Sequence, residues 1–192
     1  MSKKTAQKII FSPASPIKGI LEKLKILASE DEPVLFVGET GTGKELFSEY
    51  LYENSKRRGK YSKINCMGLP ENLIESELFG HTTGSFTGAL TDKTGLIEAS
   101  SNGILFLDEL GALADSLQAK LLRVIEDKKV RKVGTTKEKE INVRFIAATN
   151  KPDGLIPDLK FRFTYWIEIP SLRRRKEDLP NLLVTFKSVY IV

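Results

Sequence analysis

The sequence predicts an α/β domain in which a parallel five-stranded sheet lies between helices. Three observations carry this reading. Five short apolar runs are spread along the 192 residues. Segments of helical period alternate with them. The runs are apolar on successive residues rather than every second one, as strands covered on both faces are.

The first run, "PVLFVG" (33–38), reads as a buried strand, and "KELFSEYLYENSK" (44–56) as the amphipathic helix that follows it. "YSKINC" (61–66) is a short strand, and "PENLIESELF" (70–79) a helix with proline at its start. "GILFLDEL" (103–110) is a second buried strand. "DSLQAKLLRVIEDK" (115–128) is strongly periodic, with Asp115 placed to cap its N-terminus. "NVRFIAATN" (142–150) and "FTYWIEI" (163–169) complete the strands. "KEDLPNLLVTFKSVYIV" (176–192) begins a further helical segment.

Hydrophobic residues make up 41% of the chain, enough for a packed core and against a disordered class. No apolar run is long enough to span a bilayer, and the basic start lacks the apolar stretch of a signal peptide. Cys66 is the only cysteine, so no internal disulfide or cysteine zinc cluster can form, which fits a reducing cytoplasm. The net charge of +5 suits a polyanionic neighbour but defines no nucleic-acid face, because acids are interspersed throughout. The clusters "KRRGK" (56–60) and "RRRK" (173–176) read as solvated surface.

"GETGTGKE" (38–45) joins the first strand to its helix. Gly38, Gly41 and Gly43 permit the tight turns that aim backbone N–H groups at phosphate oxygens, with Glu39, Thr40 and Thr42 between them. The helix N-terminus adds partial positive charge, and Lys44 reaches the β and γ phosphates. Glu45 stands where serine or threonine commonly meets Mg²⁺. Asp108 and Glu109 end a buried strand, at the sheet edge where open parallel sheets bind ligands. Asp108 is the candidate Mg²⁺ ligand and Glu109 the group that polarises the attacking water, the acidic pair a nucleoside triphosphatase needs. Asn150, at another strand end, is placed to orient that water. "GHTTGSFTGALTDKTG" (80–95) inserts Phe86 among glycines and threonines between two regular segments. It is either a surface loop whose phenylalanine tucks down locally or a mobile loop presenting Phe86 and Thr87 to a partner.

Taken in order, "GETGTGKEL", "INCMGLPENLIESELFGH", "GSFTGA", "GILFLDEL", "LQAKLLRVIEDKKVRKVG", "NVRFIAATN" and "IPSLRRRKEDLP" resemble the AAA+ domain of the bacterial enhancer-binding proteins. These NtrC-type proteins are the sigma-54-dependent transcription activators. The resemblance covers residues from about 9 to about 182. It implies a cytoplasmic ATPase that uses ATP and Mg²⁺, assembles into a hexameric ring, and remodels RNA polymerase bearing sigma-54, with promoter DNA near the loop. It makes Phe86 and Thr87 the contact with sigma-54, hinged by Gly84 and Gly88. Ser85 replaces the usual alanine of that loop. "KVRKVG" (129–134) resembles the supporting second loop. Asn65 corresponds to the residue that couples Glu109 to the loops. Glu45 is the family's usual residue, and His81 becomes structural support.

The resemblance also implies an α/β core over 1–170, its inserted loop over about 80–95, and the start of a truncated helical lid over 171–192. The lid's nucleotide-sensing arginine has no counterpart here. Two arginines act on a neighbouring subunit's nucleotide in this family. Arg162 matches the second, while Ile156 falls at the first. That departure keeps a second reading open, a nucleotide-binding module with weak hydrolysis. A general AAA+ remodeller of another client is disfavoured by the "GSFTGA" insertion.

Overall fold

A computed structural model describes residues 9–190. Helices α1 (Ile17–Leu27), α2 (Lys44–Asn54), α3 (Glu71–Phe79), α4 (Leu96–Ala99), α5 (Asp115–Asp127), α6 (Pro157–Arg162) and α7 (Leu179–Tyr190) alternate with strands. The strands are β1 (Val34–Val37), β2 (Tyr61–Asn65), β3 (Gly80–His81), β4 (Lys93–Thr94), β5 (Ile104–Asp108), β6 (Lys129–Arg131), β7 (Glu138–Glu140), β8 (Arg144–Thr149) and β9 (Tyr165–Glu168). Five of them form one sheet in the order β2-β5-β8-β1-β9. Every pairing within it is parallel, as the uninterrupted apolar runs predict.

Successive residues of each strand face opposite layers. Leu35, Leu105, Leu107, Phe145 and Ala147 point into a core closed by α3, α5 and α6. Val34, Phe36, Ile104, Phe106, Ile146 and Ile167 point into the other, closed by α1 and α2. Arg144 is fully buried at the start of β8. It donates to the carbonyls of Leu27 (2.8 Å) and Glu32 (3.0 Å), fixing the turn between α1 and β1. Burial lowers its guanidinium pKa to about 10.

The remaining strands pair outside this sheet. β3 and β4 clasp the base of the inserted loop, and β6 and β7 form a hairpin. An isolated bridge from His81 to Val133 joins the two. Asp115 is the first residue of α5 rather than its cap; Ala114 holds the cap position, with no side-chain bond to the helix end. Asp115 therefore acts only through its charge in the first turn. Pro70 likewise stands before α3, not within it.

Candidate functional site

The parallel register brings four strand ends to one edge. Val37 lies beside Thr149, and Asn65 beside Asp108. The residues that follow these strands share that edge. Gly38 must lack a side chain, because a Cβ there would lie 2.7 Å from the Ile169 carbonyl. Gly41 and Gly43 have φ of +82° and +92°, which glycine adopts without strain. The loop is held from within by Thr42, whose N–H (3.3 Å) and hydroxyl (2.8 Å) both donate to the Glu39 carbonyl.

Lys44 is buried beneath the loop. Its ammonium donates to the carbonyls of Gly38 (2.9 Å) and Glu39 (3.2 Å) and lies 3.8 Å from Glu109 Oε1. Asn150 donates its side-chain N–H to Thr40 Oγ1 (3.0 Å) and its backbone N–H to Glu109 Oε2 (3.2 Å). Lys44, Glu109, Asn150 and the phosphate loop thus form one connected cluster. Glu45 turns aside and pairs with Lys63 of β2, whose ammonium pKa is raised chiefly by that bond.

Asp108 accepts the Glu109 N–H at 3.0 Å. Desolvation first, then the charges of Glu109 and Glu45, hold its carboxyl above the usual aspartate range, although that hydrogen bond and Lys44 oppose the shift. The adjacent carboxylates of Asp108 and Glu109, with the Lys44 ammonium 3.8 Å from Glu109, are oxygen donors of the kind a divalent cation takes. No group of three or more His, Cys, Asp or Glu side chains among the described residues forms a closed metal cage. Nearby, burial first, then the charges of Asp108 and Glu109, push the Cys66 thiol up to about 12, so it stays a neutral core residue.

Three expected residues stand apart. No hydrogen bond joins Asn65 to Glu109 among the described residues; Asn65 Oδ1 instead accepts the Met67 N–H (2.8 Å), closing its own turn. Arg162 ends α6, exposed, beside the chain entering β9. Its charge is felt by Lys128, together with Glu32 and Asp31, which precede β1. It therefore lies toward the sheet edge opposite its own phosphate loop. Ile156 caps α6, packs on the core, and has its N–H held by Gln118 Oε1 (2.9 Å).

The inserted loop is differently made. Phe86 neither floats nor joins a core. Its ring stands edge-on to His81 with centroids 5.0 Å apart, and 37% of the residue remains exposed. Thr87 is exposed beside it, and Leu90 is 85% exposed. His81 Nδ1 is 2.7 Å from the Ser76 hydroxyl, the structural support expected of it. Ser85 Oγ is buried without a partner. Backbone bonds tie the loop base to the hairpin: Thr82 N–H to Val133 O (3.0 Å) and Val133 N–H to Gly80 O (2.9 Å).

A family model described as the sigma-54 interaction domain matches residues 10–172, which include every site residue above. The chain belongs to the sigma-54 interaction domain family. Nitric oxide reductase transcription regulator NorR1 of Cupriavidus necator is 45% identical over 179 residues, 88% of this chain and 35% of NorR1. Transcriptional regulatory protein GlrR of Escherichia coli is 44% identical over 172 residues, 85% of this chain and 39% of GlrR. NtrX from Brucella abortus, solved in complex with ADP, superposes with a TM-score of 0.83 at 28% identity, over 93% of this chain and 41% of NtrX. The fold is the AAA+ α/β fold. The chain spans between a third and about two fifths of the length of these three relatives.

This sigma-54 interaction domain also contains site features its sequence did not announce. Glu109 adopts a left-handed backbone, φ 51° and ψ 45°, a conformation rare outside glycine. Two residues on, Gly111 packs so closely on Lys151 O that a Cβ would lie 2.6 Å away. The second missed feature is Arg175. The arginine run, read as solvated, sends it inward to within 3.0 Å of the Thr42 carbonyl, buried.

Proposed function

We propose that this domain binds and hydrolyses ATP and uses the cycle to engage RNA polymerase bearing sigma-54. The observation that carries the reading is the cluster of Lys44, Glu109 and Asn150 around the phosphate loop. In this reading residues Gly38 to Glu45 cradle the phosphates, with N–H groups and Lys44 facing them. Mg²⁺ supplies charge neutralisation across the β and γ phosphates when bound, and Asp108 is its protein ligand. Glu109 polarises the attacking water, and Asn150 orients it. Asn65 links the Glu109 region to the loops, a role that requires its turn to open toward Glu109.

Arg162, exposed and turned from its own site, acts on the nucleotide of a neighbouring copy, so that hydrolysis follows ring assembly, a hexamer by analogy with the family. Residues 1–170 form the nucleotide-binding core, of which residues 1–8 lie outside those described. Residues 171–192 begin the helical lid, of which 191–192 lie outside those described. The work is done in the cytoplasm, and promoter DNA passes near the loop. One observation favours a weaker motor: Ile156 is committed to the core at the position of the first arginine, so one source of transition-state charge is missing.

Phe86 and Thr87 are the contact with sigma-54. The test is co-elution with sigma-54 in the presence of ADP and aluminium fluoride. Thr87→Ala and Phe86→Ala should lose co-elution while retaining ATP binding. Thr87→Ala should melt as the unaltered protein does. Phe86→Ala should lose only about 1 kcal/mol, the worth of its edge contact with His81. Retained co-elution by both variants would overturn the assignment.

A further inference from the structure

We propose that Arg175 is a positioning residue for the phosphate loop, acting through the peptide between Thr42 and Gly43. The inference rests on the ATP-site reading above and deepens it. The three consecutive arginines have three different fates. Arg173 pairs with Glu39 and Arg174 with Glu168, both at exposed positions where an ion pair contributes little. Arg175 alone is buried, with 7% of its surface exposed.

Its guanidinium donates to the Thr42 carbonyl at 3.0 Å. Thr42 is itself buried. A trans peptide points its carbonyl and its N–H in opposite directions, and no cis bond occurs among the described residues. Drawing the Thr42 carbonyl toward Arg175 therefore turns the Gly43 N–H away from it, to the side where the loop meets phosphate. Gly43, at φ +92°, has no side chain to set that orientation. Without Arg175 the Thr42 carbonyl loses the side-chain donor that sets its direction.

The guanidinium is fixed in turn. Asp178, fully buried, lies 3.6 Å from it and accepts the Ser12 N–H (2.7 Å) and the Ser15 hydroxyl (2.9 Å). The relay runs from the segment before α1, through the segment before α7, to the phosphate loop. Stability does not account for it. Arg175 Nε is buried with no partner, and the ion pair is long. A buried charge pair so incompletely satisfied is commonly no better than apolar residues of similar volume. What Arg175 supplies that methionine cannot is a donor aimed at the loop.

The test is the double variant Arg175→Met, Asp178→Asn, which removes both charges together. A fluorescent ATP analogue is competed with ATP, ADP and AMP. Loss of one aimed phosphate donor should weaken ATP and ADP by about tenfold. AMP, which lacks the β phosphate, should compete unchanged, and the melting temperature should stay within a few degrees. Unchanged ATP and ADP affinity would overturn the proposal. So would equal weakening of all three nucleotides, because that marks general damage to the domain. Arg175→Met alone, which leaves Asp178 its bonds from the Ser12 N–H and the Ser15 hydroxyl, covers the case of a double variant that does not fold. It should show the same nucleotide pattern, and unchanged ATP affinity there overturns the proposal equally. If Lys44→Ala bound ATP as tightly as the unaltered protein, the site reading itself would fail instead.

Discussion

The phosphate site and the inserted loop lie in one small domain and are built on opposite principles. At the sheet edge the phosphate loop is cross-linked by side chains from distant segments. Lys44, Thr42, Asn150, Glu109 and Arg175 hold one another through bonds that join residues as far apart in sequence as 42 and 175. In residues 80–95 the tip is tied locally, by Asp92 accepting from Thr83 and one ring contact, while the base is held by a two-residue strand pair and by Val133. A Cβ on Gly84 or Gly88 would meet nothing within 4 Å. A site that must present N–H groups to phosphate needs preorganisation. A loop that must change position needs few contacts to break. Under the proposed function, rigidity and freedom fall where each would be used.

The comparison is broken most severely at Lys44. Lys44→Ala removes the ammonium that donates to the Gly38 and Glu39 carbonyls and lies 3.8 Å from Glu109. Nucleotide affinity, measured by isothermal titration, should fall on the order of a hundredfold, the worth of charge-assisted bonds to phosphate. The inserted loop should be untouched, so limited proteolysis within 80–95 without nucleotide should proceed at the same rate as in the unaltered protein. Altered cleavage there would mean that the two regions share support even without ligand.

What the sequence makes legible follows the same division. The sheet was readable because β1, β5 and β8 are apolar on both faces, and the phosphate loop because glycine spacing reports backbone need directly. Asp108 and Glu109 were readable from their place after an apolar run. Arg175 was not, because an arginine run looks the same whether one member turns inward or none does. The left-handed backbone of Glu109 was not, because a glutamate after a strand looks the same in sequence whichever backbone region it adopts. Asp115 looked like a cap because its residue type favours caps, yet the helix begins at Asp115 itself and Ala114 holds the cap position. In the inserted loop, Phe86 had no periodic neighbours to predict a contact. Its partner, His81, comes from the loop's own base.

Gly134 sharpens the boundary between the two regions. It has φ +85°, and a Cβ there would lie 2.5 Å from Ser85 Cβ and 2.6 Å from Thr82 Oγ1. Gly88 has a comparable φ of +98° with open space around it. Alanine at either position carries the left-handed backbone cost of about 1–2 kcal/mol. Only Gly134→Ala must also push the inserted loop off the hairpin, an overpacking cost of roughly 1–3 kcal/mol. The difference in melting between the two variants therefore reads the contact between loop and hairpin. Both variants should bind ATP normally. Equal melting temperatures would show that the contact contributes nothing.

The smallest expected effect is at Asp108, and it runs opposite to intuition. Its carboxyl pKa lies above the ordinary aspartate value, first through desolvation, then through Glu109 and Glu45. A group whose pKa is raised on folding is held preferentially in its protonated form. Its contribution is therefore fully present at low pH, below the unfolded pKa of about 3.9, and is lost as pH rises through the raised folded value. At neutral pH the ionised carboxylate is a burden on the fold. Asp108→Asn removes the charge and keeps an acceptor for the Glu109 N–H. It should raise the melting temperature at pH 7 by on the order of a degree or two. The gain should shrink to nothing at pH values below the unfolded pKa, where the unaltered side chain is already neutral. The same variant should lose the Mg²⁺ dependence of ATP binding, because the carboxylate that burdens the fold is the proposed metal ligand. A gain that persisted at low pH would show that ionisation is not its cause. A lower melting temperature at pH 7 would show that the Asp108 carboxylate is stabilised by its neighbours, not strained by them.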